Sequence, residues 1–474
     1  MRAGDPRFPG EKAERERSAP TECYDDAGRS AGSDRSYKMR LVFATLIAAA
    51  LFGVPFLSGA AQKQPGPSQQ HPAIASFAVG PDQTVTYPKH LTGLSDEHTT
   101  FLPHASGYLV FGAASNGVKS GRWGAVVLQT TNLRNFTFAK GYKSPVLRSP
   151  NRFTVCDGTH DTEFDENYAA PGSVVQDPTL PAGNLIMIYG SEQHCPTAIV
   201  PITARWNRAF YGSVGFVRSS DNGRKWPAPE NGVSGGPNRY PILQASKPQP
   251  TAAHTWLGDV IPAAFVEKSK SGDYYVYVAY DYFSSGRGVR VARAKLGAGS
   301  PTFLKWYNGS FSQPGIGGLD SAVLPSAAGC AGLQANAEIS YNDDLGLYLM
   351  VYVCVSGPTG KEVGAWFYST ATSLDLEDWT RPQKIQNSQR QFTAPCPGQT
   401  TGQDFDGNYP STISPGAAPG HTKLTGYIFF LSKTCDLGKR RFEYRTFTIT
   451  TPASTPVPSP IIKFSPPGVI HHPQ

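Results

Sequence analysis

Short apolar runs centred on aromatic or long aliphatic residues recur along the chain at intervals of about 80 residues. They occupy 108–111, 185–189, 274–278, 348–352 and 427–430, and several are followed by another strand-like run and a turn ending in an aromatic residue. No long stretch shows the 3.6-residue apolar period of a helix. Five units of strand, strand, strand and turn predict an all-β chain, a five-bladed β-propeller with blades of about four antiparallel strands. No blade could bury its faces alone, so stacking around an axis would make the core.

Two longer blocks share an internal ruler. Cys156 and Cys195 enclose Phe164, Asp165, Asn167 and Tyr168; Cys396 and Cys435 enclose Phe405, Asp406, Asn408 and Tyr409. Each cysteine pair is separated by 39 residues. Six cysteines follow residue 61, and pairing sequence neighbours gives 156–195, 330–354 and 396–435 among the 15 possible connectivities. That choice keeps each bridge inside one blade.

Composition agrees with many short strands: 49 Gly, 41 Pro, 11% aromatic and only 17% charged residues. The formal charge of +7 is spread without basic runs interleaved with aromatics, so nucleic acid is not an expected partner. The ends read differently from the middle. Residues 1–38 form a polar extension that suggests a mis-assigned start, with Met39 as the true one. Residues 39–61 read as a signal peptide, with a basic start, an apolar core and small closing residues. Residues 62–90 read as a linker, 91–450 as the propeller and 451–474 as a Pro-rich tail. The expected protein is a secreted monomer, extracellular or periplasmic, with no membrane attachment after cleavage. Asn135 and Asn308 each head an N-glycosylation sequon.

Chemistry is sought where inner strands begin. An acid precedes each tyrosine-rich or aliphatic strand: Asp96, Asp177, Asp259, Glu338, and Asp404 with Asp406. Acids ringed in one funnel raise one another's pKa, which keeps a carboxylic acid protonated for general-acid work. The bland readings are a turn acid for Asp177 and Asp259, a buried salt-bridge partner for Glu338, and turn caps for the duplicated Asp165 and Asp406. The acid-rich loop 157–166 could ligate calcium through oxygens but lacks EF-hand spacing, and no cofactor is expected.

Ser219, Asp221, Gly223 and Trp226 form an S-x-D-x-G-x-x-W turn that resembles the Asp box of sialidases and related propellers. Asp177-Pro178, Gly258-Asp259 and the phrase running from Ser373 to Trp379 and Pro382 resemble the five-bladed clan of glycoside hydrolase families 43, 32 and 62. That resemblance implies a paired-carboxylate glycosidase. Asp177 would be the general base, Asp259 the tuner of the acid's pKa and Glu338 the general acid. Asp96, His98, Asp165, Asp406, Tyr168 and Tyr409 would bind substrate. The pattern departs from the clan by placing an extra blade first. A non-catalytic carbohydrate-binding propeller and an exo-sialidase are the alternatives, the latter lacking the early R-I-P phrase.

Overall fold

The computed structural model describes residues 74–89, 91–116, 123–152, 163–194, 210–227, 239–248, 256–283, 288–324, 330, 333–356, 363–374, 379–391, 407–432 and 441–452. The expected signal, the Pro-rich tail from residue 453 on, Asp406, Cys156, Cys195, Cys396 and Cys435 lie outside these residues. So does most of the acid-rich loop.

Every regular element among the described residues is a β-strand. They make antiparallel meanders whose first strands are Thr100–His104, Tyr168–Gln176, Trp256–Lys268, Leu333–Asn342 and Asn408–Ile413. The tyrosine-rich runs are the second strands, not the first. Among the described residues these five meanders fall into four hydrogen-bonded sheets. Residues 210–212 pair in parallel with 256–258 and fuse the second and third meanders into one nine-stranded sheet. The strand Ser76–Val79 lies along Arg441–Thr450 at the outside of the last meander, so the beginning and end of the domain share one sheet.

Alternation along each strand sends side chains to both faces, and each face meets a neighbouring meander. The resulting cores lie between consecutive units. Phe111 and Val127 of the first pack with Met187 and Val217 of the second. Ile188 and Phe216 pack with Val278 and Ala292. Phe265 and Tyr277 pack with Met350 and Tyr352. Val351 and Trp366 pack with Ile428 and Phe430. Phe429 and Phe442 return to Phe101 and Val110. The first strands are stitched in the same order. Thr100 Oγ1 accepts the Val174 N–H and Ser173 Oγ accepts the Ala264 N–H, both at 2.9 Å. Between the third and fourth meanders the bond comes from a second strand: Asp281, on Tyr274–Phe283, accepts the Asn336 N–H at 3.0 Å. Glu338 accepts the Thr412 N–H and hydroxyl. Ser411 Oγ accepts the Thr99 N–H at 2.8 Å and closes the cycle.

The turn at 219–226 shows why its residues matter. Ser219 Oγ donates to Asp221 Oδ1 (2.8 Å) and accepts the Gly223 N–H (3.0 Å). Asn222 and Gly223 both take positive φ, 61° and 77°, which favours Asn and Gly. Trp226 donates its indole N–H to Gly223 O at 2.9 Å and meets Phe111 of the first meander edge-on, centroids 6.5 Å apart. Trp226→Ala therefore removes a clamp between two units. We expect a loss of about 3–5 kcal/mol, read from urea unfolding.

Cys330 and Cys354 form a disulfide within the fourth meander, with Cα atoms 5.6 Å apart. This is the pairing expected from sequence neighbours.

Candidate functional site

The three acids carried over from the family resemblance do not form one constellation. Asp177 ends its inner strand. Its Oδ1 accepts the Thr179 N–H (3.0 Å) and hydroxyl (2.6 Å), and its Oδ2 accepts from Arg218 at 3.2 Å. Arg218 also holds the carbonyls of Gly297 and Gly299, both at 2.7 Å. Asp177 is thus a buried turn acid tying the second meander to the third.

Asp259 stands at the other end. It lies near the start of its strand and accepts from Lys305 Nζ at 2.7 Å, both side chains wholly buried. Lys305 also donates to Gln244 O at 2.8 Å. Burial pushes the Asp259 carboxyl up to about 6, and the ammonium of Lys305 holds it below neutrality. The second and third inner strands run side by side in the same direction, with Gly172 against Pro262 and Ser173 bonded to Ala264. Asp177 lies beyond Gly172 and Asp259 lies before Pro262. At about 3.3 Å per residue they are roughly 20 Å or more apart along the axis. Two carboxyls that serve one glycosidic bond stand within about 10 Å. The pairing of Asp177 with Asp259 is therefore corrected. The physical source of the error is that the tyrosine-rich strands are second strands, so the residues before them mix entry, middle and exit positions.

Glu338 sits midway along its strand, on the wall of a central cavity. Its Oε2 accepts the Thr412 hydroxyl at 2.7 Å, and burial pushes the acid up to about 8.

The predicted substrate-binding residues separate into two groups. Asp165 is committed to the interior. It is 1% exposed and is paired with Arg239, while Tyr189 donates to it at 2.9 Å. Asp96, His98, Tyr168 and Tyr409 instead converge where the inner strands begin. The Tyr168 hydroxyl donates to Asp96 O at 2.8 Å. His98 meets the Tyr409 ring edge-on at 6.3 Å and contacts Pro410 O through Nδ1 at 3.1 Å. Burial lowers the His98 pKa to about 4, so the ring is neutral at physiological pH. A carbonyl partner assigns the proton to Nδ1, and Nε2 is left as a lone pair with no partner among the described residues.

Two further acids complete this entry cluster, and motif reading did not nominate either. Glu97, 4% exposed, lays its carboxylate directly over Gly190; a methyl group there would collide with Oε1. Glu192 lies two positions further along the same strand face, directly opposite Tyr168 in the ladder. Its Oε2 is 2.8 Å from His194 Nε2. The backbone position that Glu97 covers and the one that bears Glu192 are thus two residues of strand rise apart, roughly 7 Å. Burial raises the Tyr168 hydroxyl well above 10, and the charges of Asp96, Glu97 and Glu192 push it the same way. Tyr168 is therefore a neutral phenol whose proton is held by the Asp96 carbonyl. The usable sequence signal was the i, i+2 relation of Gly190 and Glu192, but it required knowing which residue faces Gly190.

Two inter-meander acids give the fold a pH dependence. Burial pushes Asp281 up to about 7, with the Asn336 donors pulling the other way. Both Asp281 and Glu338 have folded pKa values above the ordinary carboxylate range. Their stabilisation is full below pH 4 and is lost as pH rises through about 7 and 8. We expect stability to fall by on the order of a few kcal/mol between pH 6 and 9. Asp281→Asn with Glu338→Gln should flatten the profile in thermal melts; a wild-type profile already flat over that range would contradict the assignment.

No family model and no curated protein matches the chain in sequence. Solved structures do align. The catalytic domain of a GH62 α-L-arabinofuranosidase from Coprinopsis cinerea covers 80% of this chain and 98% of its own, at 11% identity and a TM-score of 0.42. A GH43 endo-arabinanase from Bacillus licheniformis covers 77% and 96%, at 12% identity and 0.40. An N-acetylgalactosamine deacetylase from F. plautii covers 80% and 94%, at 10% identity and 0.41. Glycosidases and a deacetylase stand side by side among these structures, so a likeness of fold does not decide the reaction.

Proposed function

We propose that the chain hydrolyses a glycosidic bond at the entry end of its central axis, with Glu97 and Glu192 as the carboxyl pair. The observation that carries this reading is the seating of Glu97 on Gly190, two residues from Glu192. Two carboxyls mounted at neighbouring positions of one strand face can act as a pair in which one protonates the leaving oxygen and the other activates water. Glu97 is the more deeply buried and takes the acid role. Glu192 keeps 20% of its side chain exposed, is oriented by His194 and takes the base role. Tyr168, Tyr409 and neutral His98 supply rings and hydrogen-bonding groups of the kind that hold a sugar.

The family phrases around Asp177, Asp259 and Trp379 support the same substrate class, although the first two acids are structural. Export is part of the proposal, and the Cys330–Cys354 bridge fits an oxidising compartment. Three arginines that an exo-sialidase reading could draw on, Arg218, Arg239 and Arg290, are committed to Asp177, Asp165 and Asp320.

The test is a screen of aryl arabinofuranosides, xylosides, galactosides and sialosides with the full chain and its Glu97→Gln/Glu192→Gln double variant. Turnover of one substrate by the wild type and its loss in the double variant support the proposal. A flat screen with glycan binding intact would transfer it to a binding module.

A further inference from the structure

A second feature of the axis lies away from the entry cluster. From the middle of the inner strands to their exit ends, the meanders enclose a cavity of about 280 Å³, bordered at the exit by Gln176, Tyr274 and His421. None of its lining residues is Lys or Arg. Its volume lies just below the usual range of small-molecule sites, about 300–1,000 Å³, and suits one sugar-sized ring rather than a chain of them.

Four polar side chains of the wall keep unspent bonding capacity. Thr100 Oγ1 and Ser173 Oγ each accept a backbone N–H from the next meander. Neither hydroxyl proton has an acceptor among the described residues. Glu338 Oε2 receives both the N–H and the hydroxyl of Thr412, so the neutral acid carries its proton on Oε1. Gln176 donates through Nε2 to Asp177 O at 3.2 Å, which leaves Oε1 as an acceptor at the rim. The wall thus offers three donors in its depth, one acceptor at its rim and an aromatic side in Tyr274. An anion would find no fixed cation there.

We propose that this exit-end cavity binds one small uncharged polyol, at a site separate from the Glu97–Glu192 pair. The recognition is by hydroxyl groups alone, each able to accept from Thr100, Ser173 or Glu338 and to donate to Gln176. The proposal does not depend on the chain being a hydrolase.

The test is saturation-transfer NMR and titration calorimetry on the full chain, with L-arabinose, D-galactose and myo-inositol as probes and phosphate and gluconate as charged controls. At least one neutral probe is expected to bind at one per chain. Gln176→Met should weaken it by about 5-fold, the worth of one neutral hydrogen bond. Ser173→Ala serves as an independent variant on the deep wall, and melting curves report whether each folds. Binding in Glu97→Gln/Glu192→Gln should stay within about twofold of wild type, well under the cost of one lost bond. The proposal is overturned if no neutral probe binds, if phosphate or gluconate binds more tightly, or if the double variant loses binding that Gln176→Met retains.

Discussion

Glu192→Gln and Glu97→Gln are each expected to lower kcat/KM by about 10³-fold or more on a substrate with a poor leaving group, or about 4 kcal/mol of transition-state stabilisation. The two should differ in a way that a structural role would not produce. If Glu97 is the proton donor, Glu97→Gln loses little on a dinitrophenyl glycoside, whose leaving group departs without protonation. Glu192→Gln removes the activation of water and is impaired on both substrates alike. Each substitution should also remove one limb of the pH–rate profile, the alkaline limb for the acid and the acidic limb for the base. Equal losses on both substrates in both variants, with lowered melting temperatures, would mean that the pair only packs. Gly190→Ala adds a geometric check. The added methyl displaces the Glu97 carboxylate and leaves Glu192 in place, so it should follow the Glu97→Gln pattern rather than the Glu192→Gln one.

The recurrence of aromatic strands was legible because it is a local property: alternation and turn residues act over a few positions. The Cys330–Cys354 bridge was legible for the same reason, being a short-range pairing within one unit. What failed was depth along the axis. Asp177 and Asp259 have similar local sequence, an acid beside Pro or Gly near a strand end, yet one leaves its strand and the other enters it. Nothing within five residues of either encodes that difference; it follows from which strand is innermost. Tyr168 and Tyr409 were found through the repeat, and the repeat also marked Asp165, whose role is fixed by a distant arginine. Glu192 was missed because its significance comes from Glu97, which reaches the neighbouring Gly190 across a meander boundary. The fused second and third meanders likewise depend on a parallel pairing at 210–212 and 256–258 that carries no local signature.

Arg239→Met is expected to be among the most destabilising single substitutions in the chain. Arg239 and Asp165 are 4% and 1% exposed, so neither charge has water to fall back on. Removing the guanidinium leaves a buried carboxylate with the Tyr189 hydroxyl, and such a break costs about 3–5 kcal/mol. For a domain of this size that corresponds to a fall in Tm of about 4–6 °C. Asp165→Asn should be milder, because the amide oxygen still accepts from Tyr189 and Arg239 keeps its bond to Arg148 O at 3.2 Å. The double variant Asp165→Leu/Arg239→Met removes both charges and should recover most of the loss, since replacing a buried pair by apolar groups is often neutral. Activity need not follow stability back. Asp165 anchors the segment that turns through Glu166 and Asn167 into Tyr168, and Asn167 Oδ1 accepts the His194 N–H at 3.0 Å. The Asp165–Arg239 pair thereby sets the position of both residues that flank Glu192. A double variant that regains wild-type melting but shows a raised KM would identify the pair as a positioning element of the entry cluster; recovery of both would confine it to the core.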